Sequence, residues 1–268
     1  MSESPSLRAN VDRFRGFAGQ YDSVRPRPPP ALLDLLGRLA GGELPALVVD
    51  LGSGTGLSTA VWSGRANAIV GVEPGDDMRA AAMARAPAGV SYVSGYSHAT
   101  GLPEACADIV TASQALHWME PTATLAEVAR LLRPGGVFAA YDVDWPPTCA
   151  WPAEAAYEAF MARARDLERV HQTAAHVQAW PKDQHLARMT GSGHFRYTRE
   201  VLVHHEEPGD ASRLVGLALS QGGVAGLLAA GVSAIELGLP ALTSAVRASL
   251  GDAVVPFLWS YRVRIAIR

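Results

Sequence analysis

Cysteine is nearly absent from this chain: Cys106 and Cys149 are the two in 268 residues. Two thiols make neither a disulfide framework nor a metal-ligand spacing, and both read as reduced structural residues. Charge of one sign is lacking too, since 23 Lys and Arg against 26 Asp and Glu leave a formal net charge of −3. Without a basic surplus, a grip on nucleic-acid phosphates is not expected, and no Asn/Asp-Pro-Pro-aromatic base-flipping signature is present. No apolar run reaches membrane-spanning length; glycines interrupt the stretch at 222–231, and the N-terminus is polar. No membrane partner is expected, and the reading is a soluble cytoplasmic protein. His171, His176 and His185 show no tight pairing with a carboxylate motif, and His204 and His205 alternate across a strand. A metal site is therefore not expected. With 49% hydrophobic and 18% charged residues, disorder is excluded, and the length suits one domain with insertions.

What is present is concentrated at 48–56, Val-Val-Asp-Leu-Gly-Ser-Gly-Thr-Gly. An apolar strand runs into Asp50 and then into Gly52, Gly54 and Gly56, a sharp turn into a helix with the backbone left bare for a ligand. Seventeen residues past Gly56, Glu73 ends a second apolar run and is followed by Pro74. An ionised carboxylate there offers two acceptor oxygens for the hydroxyls of a ribose, so a nucleoside-containing cofactor is expected. A dinucleotide fold needs its third glycine five positions after the first, and that position holds Leu57. No Gly-Lys-Ser/Thr follows, which excludes a P-loop.

Strands alternate with helices through the first half. Strands are expected at 47–51, 68–72, 90–93, 108–112 and 137–141, and helices at 31–39, 56–63, 76–86 and 122–132. Arg133-Pro134-Gly135-Gly136 closes the last of these helices. This rhythm implies a parallel sheet with right-handed crossovers. The second half departs from it. A largely helical stretch is expected at 153–180, a shorter helix at 182–190, strands at 197–204 and 260–267, and a helical insertion at 211–250.

The Gly-x-Gly-x-Gly turn behind Asp50, with Glu73 downstream, resembles the first motif of class I S-adenosylmethionine (SAM)-dependent methyltransferases. The resemblance extends to Ala112–Met119, which is similar to the segment after strand four in small-molecule enzymes of the methyltransferase domain 11 group. Leu132–Gly136 resembles their turn into strand five, and Phe17, Ala18, Tyr21, Arg25 and Pro26 their N-terminal segment over the cofactor. It covers about 14–145 plus the final strand pattern. It implies an α/β fold: a Rossmann-like, seven-stranded, mostly parallel sheet with helices on both faces and a helical lid from insertions. The single domain 1–268 would then comprise a SAM-binding core at 14–145, lid insertions at 146–180 and 208–250, and the rest of the sheet at 181–207 and 251–268.

By the same resemblance, the methionine end of SAM lies against Gly52, Ser53, Gly54, Thr55 and Gly56, and the ribose against Glu73 beside Pro74. Adenine is placed near Met78, Tyr96, Ser97 and His98; position 98 departs from the family, which more often carries an acid there. Tyr21, Arg25, Ser113 and Gln114 complete the cofactor set, with Asp50 ordering the loop. Arg25 has two readings, a partner for the cofactor carboxylate or a solvated charge before a proline run.

Methyl transfer needs alignment and water exclusion more than acid–base chemistry. Where the acceptor must lose a proton, His117 after strand four is the candidate base; the competing reading is a packed histidine. Trp118 is a wall of the methyl site or core. Asp144 and Trp145 follow strand five, facing the acceptor or starting a turn, and Gln221 belongs to the lid as an acceptor contact or a helix kink. The expected activity is methyl transfer to a small acceptor at oxygen, nitrogen or carbon, releasing S-adenosylhomocysteine (SAH). Trp145, Trp151, Trp180 and Trp259 favour an aromatic or hydrophobic acceptor. The alternatives are a cyclase or isomerase that uses SAM without transferring methyl, and a SAM or nucleotide sensor. Oligomeric state is not legible.

Overall fold

A computed structural model describes residues 5–12 and 22–268. In chain order the elements are α1 (Pro5–Asp12), α2 (Pro30–Leu39), β1 (Leu47–Leu51), α3 (Leu57–Ala60), β2 (Ala68–Val72), α4 (Asp76–Ala84), β3 (Val90–Val93) and β4 (Ala107–Ser113). There follow α5 (Pro121–Leu131), β5 (Leu132–Val143), α6 (Trp151–His171), α7 (His185–Gly191), β6 (Tyr197–Gly209), α8 (Ala211–Leu219), α9 (Gly222–Ala229), α10 (Ala234–Leu237), α11 (Leu239–Leu250) and β7 (Val255–Ile267).

The seven strands form one sheet in the order β3-β2-β1-β4-β5-β7-β6. β3, β2, β1, β4 and β5 run parallel, while β7 is antiparallel to both β5 and β6. The order reverses at β1, leaving a crevice at the carboxyl ends of β1 and β4, where open α/β sheets bind ligands.

Both faces of the sheet are covered, as alternation along β5 shows. Val137, Ala139, Tyr141 and Val143 pack with α2 and the helical insertions, through Leu32, Leu36, Tyr157, Phe160, Leu214 and Leu242. Phe138 and Ala140 face the opposite core with Leu125, Val128 and Met189. Asp142 shares the face of Phe138 and Ala140, because strand side chains repeat every second residue. Among the described residues, no single helix is long and apolar enough to cross a membrane. α8 and α9 pass on length and composition together, but they bend by 70° and bury Leu214, Leu217, Val224 and Leu227.

Several boundaries differ from the sequence expectations. The helix after the glycine turn is one turn, Leu57–Ala60, rather than 56–63. The expected helical stretch at 153–180 is α6 and stops at His171, where Gln172 adopts φ +53°. The Pro-Gly-Gly turn survives as a bulge inside β5: Ala107 pairs with Leu132, and two residues later Ile109 pairs with Val137. β6 and β7 are 13 residues each, longer than expected. Their excess is a two-stranded ribbon beyond the reach of β5, in which Pro208 pairs with Pro256. Proline is tolerated there because each of these strands has a side with no ladder partner.

Candidate active site

The glycine turn is built from below. Asp50 is fully buried in β1, and its carboxylate accepts hydrogen bonds from Ser58 Oγ, Thr59 Oγ1 and Thr111 Oγ1, all at 2.7 Å. Burial pushes the Asp50 carboxyl up, and the three hydroxyls resist that shift. Asp50 thus ties α3 and β4 to the base of the loop without reaching the surface. Above it, Gly52 and Ser53 donate to Val72 O at 2.9 and 3.2 Å, and Gly56 enters α3 at φ +88°. A Cβ on Gly56 would lie 2.2 Å from Tyr92 Oη, so the turn needs glycine for space as well as conformation.

Glu73 closes the loop from the side. Its Oε2 accepts from Gly54 N at 2.9 Å and its Oε1 from Gly75 N at 2.8 Å. Burial raises the Glu73 carboxyl above its ordinary value, opposed by these two amides and by Arg79.

A cavity opens above the turn. Gly52, Ser53, Gly54 and Thr55 form its floor, with Glu73, Pro74 and Met78 on one side. Tyr96 and Ser97 extend that side, Ser113, Gln114 and Trp118 come from the segment after β4, and Arg25 lines the cavity as well. These residues of the expected cofactor set therefore converge on one space. Ser53 Oγ is buried with no hydrogen-bond partner among the described residues. Bare backbone and a carboxylate with acceptor capacity fit the carboxylate and ribose of an adenosyl amino acid.

Other expected residues stand elsewhere. Tyr21 lies outside the described residues. Asp50 and Gly56 support the turn from beneath, and His98 stacks on Tyr96 at 5.6 Å instead of lining the cavity. His117, the candidate base, is on a 3-10 turn (Leu116–Trp118) that sends its ring behind the wall, 4.4 Å from the Trp118 ring. Of the expected acceptor contacts, Trp118 alone lines the cavity. Asp144 is exposed and pairs with Arg262 at 3.0 Å, away from the cavity lining. Trp145 packs edge-on against Trp259 at 5.4 Å, with the Arg25 guanidinium 4.7 Å above its ring. Gln221 donates to Tyr157 Oη at 3.1 Å. Arg25 also donates from Nε to Ser220 Oγ at 2.9 Å, joining the cavity to the helical insertion.

Asn10, Val11, Pro28, Leu57, Ser58, Ala115 and Met119 line the cavity as well and were not expected from the sequence. Leu57, Ser58, Ala115 and Met119 are neighbours of motif residues and could have been found by adjacency. Asn10 and Val11 belong to α1, which no motif marks.

Behind Trp118 lies a buried charge cluster. Asp142 is 2.7 Å from both Lys182 Nζ and Arg264 and 3.7 Å from His117 Nδ1, and Arg264 pairs with Glu200 at 2.8 Å. Burial opposes ionisation of Asp142, but Lys182, His117 and Arg264 together hold its carboxyl below the ordinary value. Neighbouring His185 is pushed down to about 4 by burial, against the pull of Asp142. Among the described residues, no group of three or more His, Cys, Asp and Glu side chains is arranged to hold a metal ion.

A crevice at the sheet's switch point, a glycine turn and a terminal acid on the second strand define a nucleoside-binding α/β domain. Residues 49–140 match the methyltransferase-domain family Methyltransf_11, which supports the class I SAM-dependent methyltransferase resemblance over that stretch. An uncharacterised methyltransferase of Mycobacterium tuberculosis (strain ATCC 25618 / H37Rv) is 36% identical over 126 residues, 46% of this chain and 49% of its own length. The trans-aconitate 2-methyltransferase of Methylobacterium radiotolerans is 34% identical over 136 residues, 50% of this chain and 49% of its own. This chain thus spans about half the length of the curated relatives it matches. In fold it is similar to a putative type II methyltransferase from Anaeromyxobacter dehalogenans. The TM-score is 0.68 at 24% identity, covering 91% of this chain and 97% of that one.

Proposed function

We propose that this chain transfers the methyl group of SAM to a small organic acceptor and releases SAH. The observation that carries the reading is the Glu73 carboxylate, which faces the cavity while fastened to Gly54 and Gly75. In this reading Glu73 accepts the ribose hydroxyls, and the open backbone of Gly52–Thr55 receives the amino-acid end. Met78, Tyr96 and Ser97 flank the adenine, and Ser113 and Gln114 hold the opposite side. When bound, SAM supplies an activated methyl group on a sulfonium. What the chain must add is alignment of the acceptor and exclusion of water.

In this reading the acceptor lies by Trp118, Met119, Pro26 and Pro28, apolar residues of the lining that suit a hydrophobic body. Arg25, which lines the same cavity, adds a cation that would favour a carboxylate on that body. The named substrate of the trans-aconitate relative, a carboxylic acid, supports testing that class beside aromatic acceptors. The insertions at 146–180 and 208–250 are read as the acceptor-side lid of a single domain, acting on the cavity through Arg25, Ser220 and Trp145. Cytoplasmic residence is the reading supported by the free thiols of Cys106 and Cys149.

The test is calorimetric titration of the purified chain with SAH, with NAD as control, followed by a screen of aromatic and carboxylic acceptors with methyl-labelled SAM. Micromolar binding of SAH without NAD binding supports the reading. NAD binding in its place would overturn it.

A further inference from the structure

α1 lines the cavity through two neighbouring residues, Asn10 and Val11. Val11 lies against the loop after β2 that carries Glu73: a Cβ on Gly75 would lie 3.5 Å from Val11 Cγ1. Beside it, Asn10 is buried at 6% exposure. It makes three hydrogen bonds to segments far along the chain. Its Nδ2 donates to Trp118 O at 3.0 Å and to Gln178 O at 2.8 Å, and its Oδ1 accepts from Gln178 N at 3.0 Å.

The ledge that receives Asn10 is itself fixed. Trp180 N donates to His117 O at 2.8 Å, and Lys182 holds Asp142 at 2.7 Å. A lone helix of eight residues is marginal in water, so α1 persists through docking and not through its own ladder. Both donors of the Asn10 amide are spent on fixing that dock, and no other residue type offers two donors and an acceptor at this reach.

We infer that α1 is a latch over the cofactor cavity and that Asn10 is its fastening, a positioning residue that governs how fast the adenosyl product leaves. This rests on the SAM reading of the cavity, because Asn10 and Val11 line the same space as Glu73 and the glycine turn. A ligand seated on that floor departs when α1 lifts from the Trp118–Gln178 ledge. Asn10→Ala removes the fastening. Asn10→Asp does more, because an acceptor-only carboxylate would face the carbonyl oxygens of Trp118 and Gln178.

The experiment is stopped-flow dissociation of SAH from the full chain, paired with tryptic cleavage after Arg8 in the ligand-free protein. Asn10→Ala is expected to speed SAH release by about tenfold or more, and Asn10→Asp by more than that. The melting temperature should stay within about 3 °C of wild type, since the change is local. Cleavage after Arg8 should accelerate at least ~5-fold in both variants. Variants that melt as wild type, bind SAH and release it at the wild-type rate would sink the latch. Unchanged cleavage after Arg8 overturns it whether or not SAH binds. A wild-type chain that binds no SAH yet shows faster cleavage in both variants keeps the Asn10 fastening and discards the cofactor reading instead.

Discussion

Glu73 and Gly54 hold each other across the crevice: the carboxylate at the tip of β2 accepts the amide N–H of the central loop glycine at 2.9 Å. One side chain therefore shapes the floor and supplies an acceptor to the cavity. Glu73→Ala is expected to weaken SAH binding at least ~10-fold, because it strips the ribose acceptor and leaves the Gly54 and Gly75 donors unpaired. Titration calorimetry measures this directly, and near-normal affinity would refute the ribose assignment. The pH dependence follows from the raised carboxyl. Protonation removes acceptor capacity, so SAH affinity should fall as pH is lowered through that raised value. Ligand-free stability should move the other way. Between the ordinary 4.5 and the raised value the folded state binds more protons than the unfolded one, so stability rises as pH falls.

The three loop glycines are expected to separate into two kinds. A Cβ on Gly56 would collide with Tyr92 Oη at 2.2 Å, and one on Gly52 with Met119 Cε at 2.8 Å. Gly54 has nothing within 4 Å of that position, although its φ is +54°. Gly56→Ala should therefore damage folding itself, lowering stability by ~2 kcal/mol or more. Gly54→Ala meets no atom, so it should cost less, about 1 kcal/mol for the positive φ alone, and weaken SAH binding because its methyl group projects into the open space above the turn. Thermal melts with parallel SAH titrations distinguish the two. Equal melting temperatures for both variants would contradict the division.

The parts of the fold that were legible in sequence are those governed by burial on both faces. β1, β2 and β3 match their expected limits because central parallel strands are apolar runs cut off by turn residues. Glu73 was legible for a related reason: an acid ending such a run has little reason to be there except a ligand or a loop. The ribbon of β6 and β7 was not legible, since Glu206-Glu207-Pro208-Gly209 reads as a turn until a partner strand beyond the sheet edge is known. Asn10 carries no local signal, because its partners lie 108 and 168 residues away. The direction of His117 depends on a 3-10 turn three residues long, which no periodicity encodes.

Asp142 is the keystone of the charge cluster behind the cavity wall. Asp142→Asn would leave Arg264, at 3% side-chain exposure, with Glu200 as its remaining acidic partner. Stripping one member of a buried ion pair costs about 3 kcal/mol. Lys182 is 38% exposed, so Lys182→Met should cost ~1 kcal/mol or less. Because the folded Asp142 carboxyl sits below its ordinary 3.8, its contribution is present above that value and is lost as pH falls through the lowered one. Urea unfolding at neutral pH and near pH 3 measures both effects. A Lys182 variant as damaging as Asp142→Asn would show that Arg264 is not the main partner.

His117 stands at the junction of this cluster and the cavity, with Asp142 Oδ1 3.7 Å from its Nδ1 on one side and the Trp118 ring on the other. From there its imidazole reaches the acceptor space through Trp118 and not directly, which favours a supporting role over proton abstraction. His117→Phe keeps an aromatic ring behind Trp118 and removes the titratable nitrogens. SAH affinity is then expected to stay within about threefold of wild type, and turnover on an acceptor from the screen to fall by less than ~10-fold. A general base would behave differently: its loss costs ~10²-fold or more in turnover at unchanged affinity, with the pH–rate profile losing its acidic limb. Turnover of His117→Phe as a function of pH therefore decides between the two. A profile parallel to wild type leaves His117 as the prop of Trp118, whereas a collapsed and flattened one would make it the base.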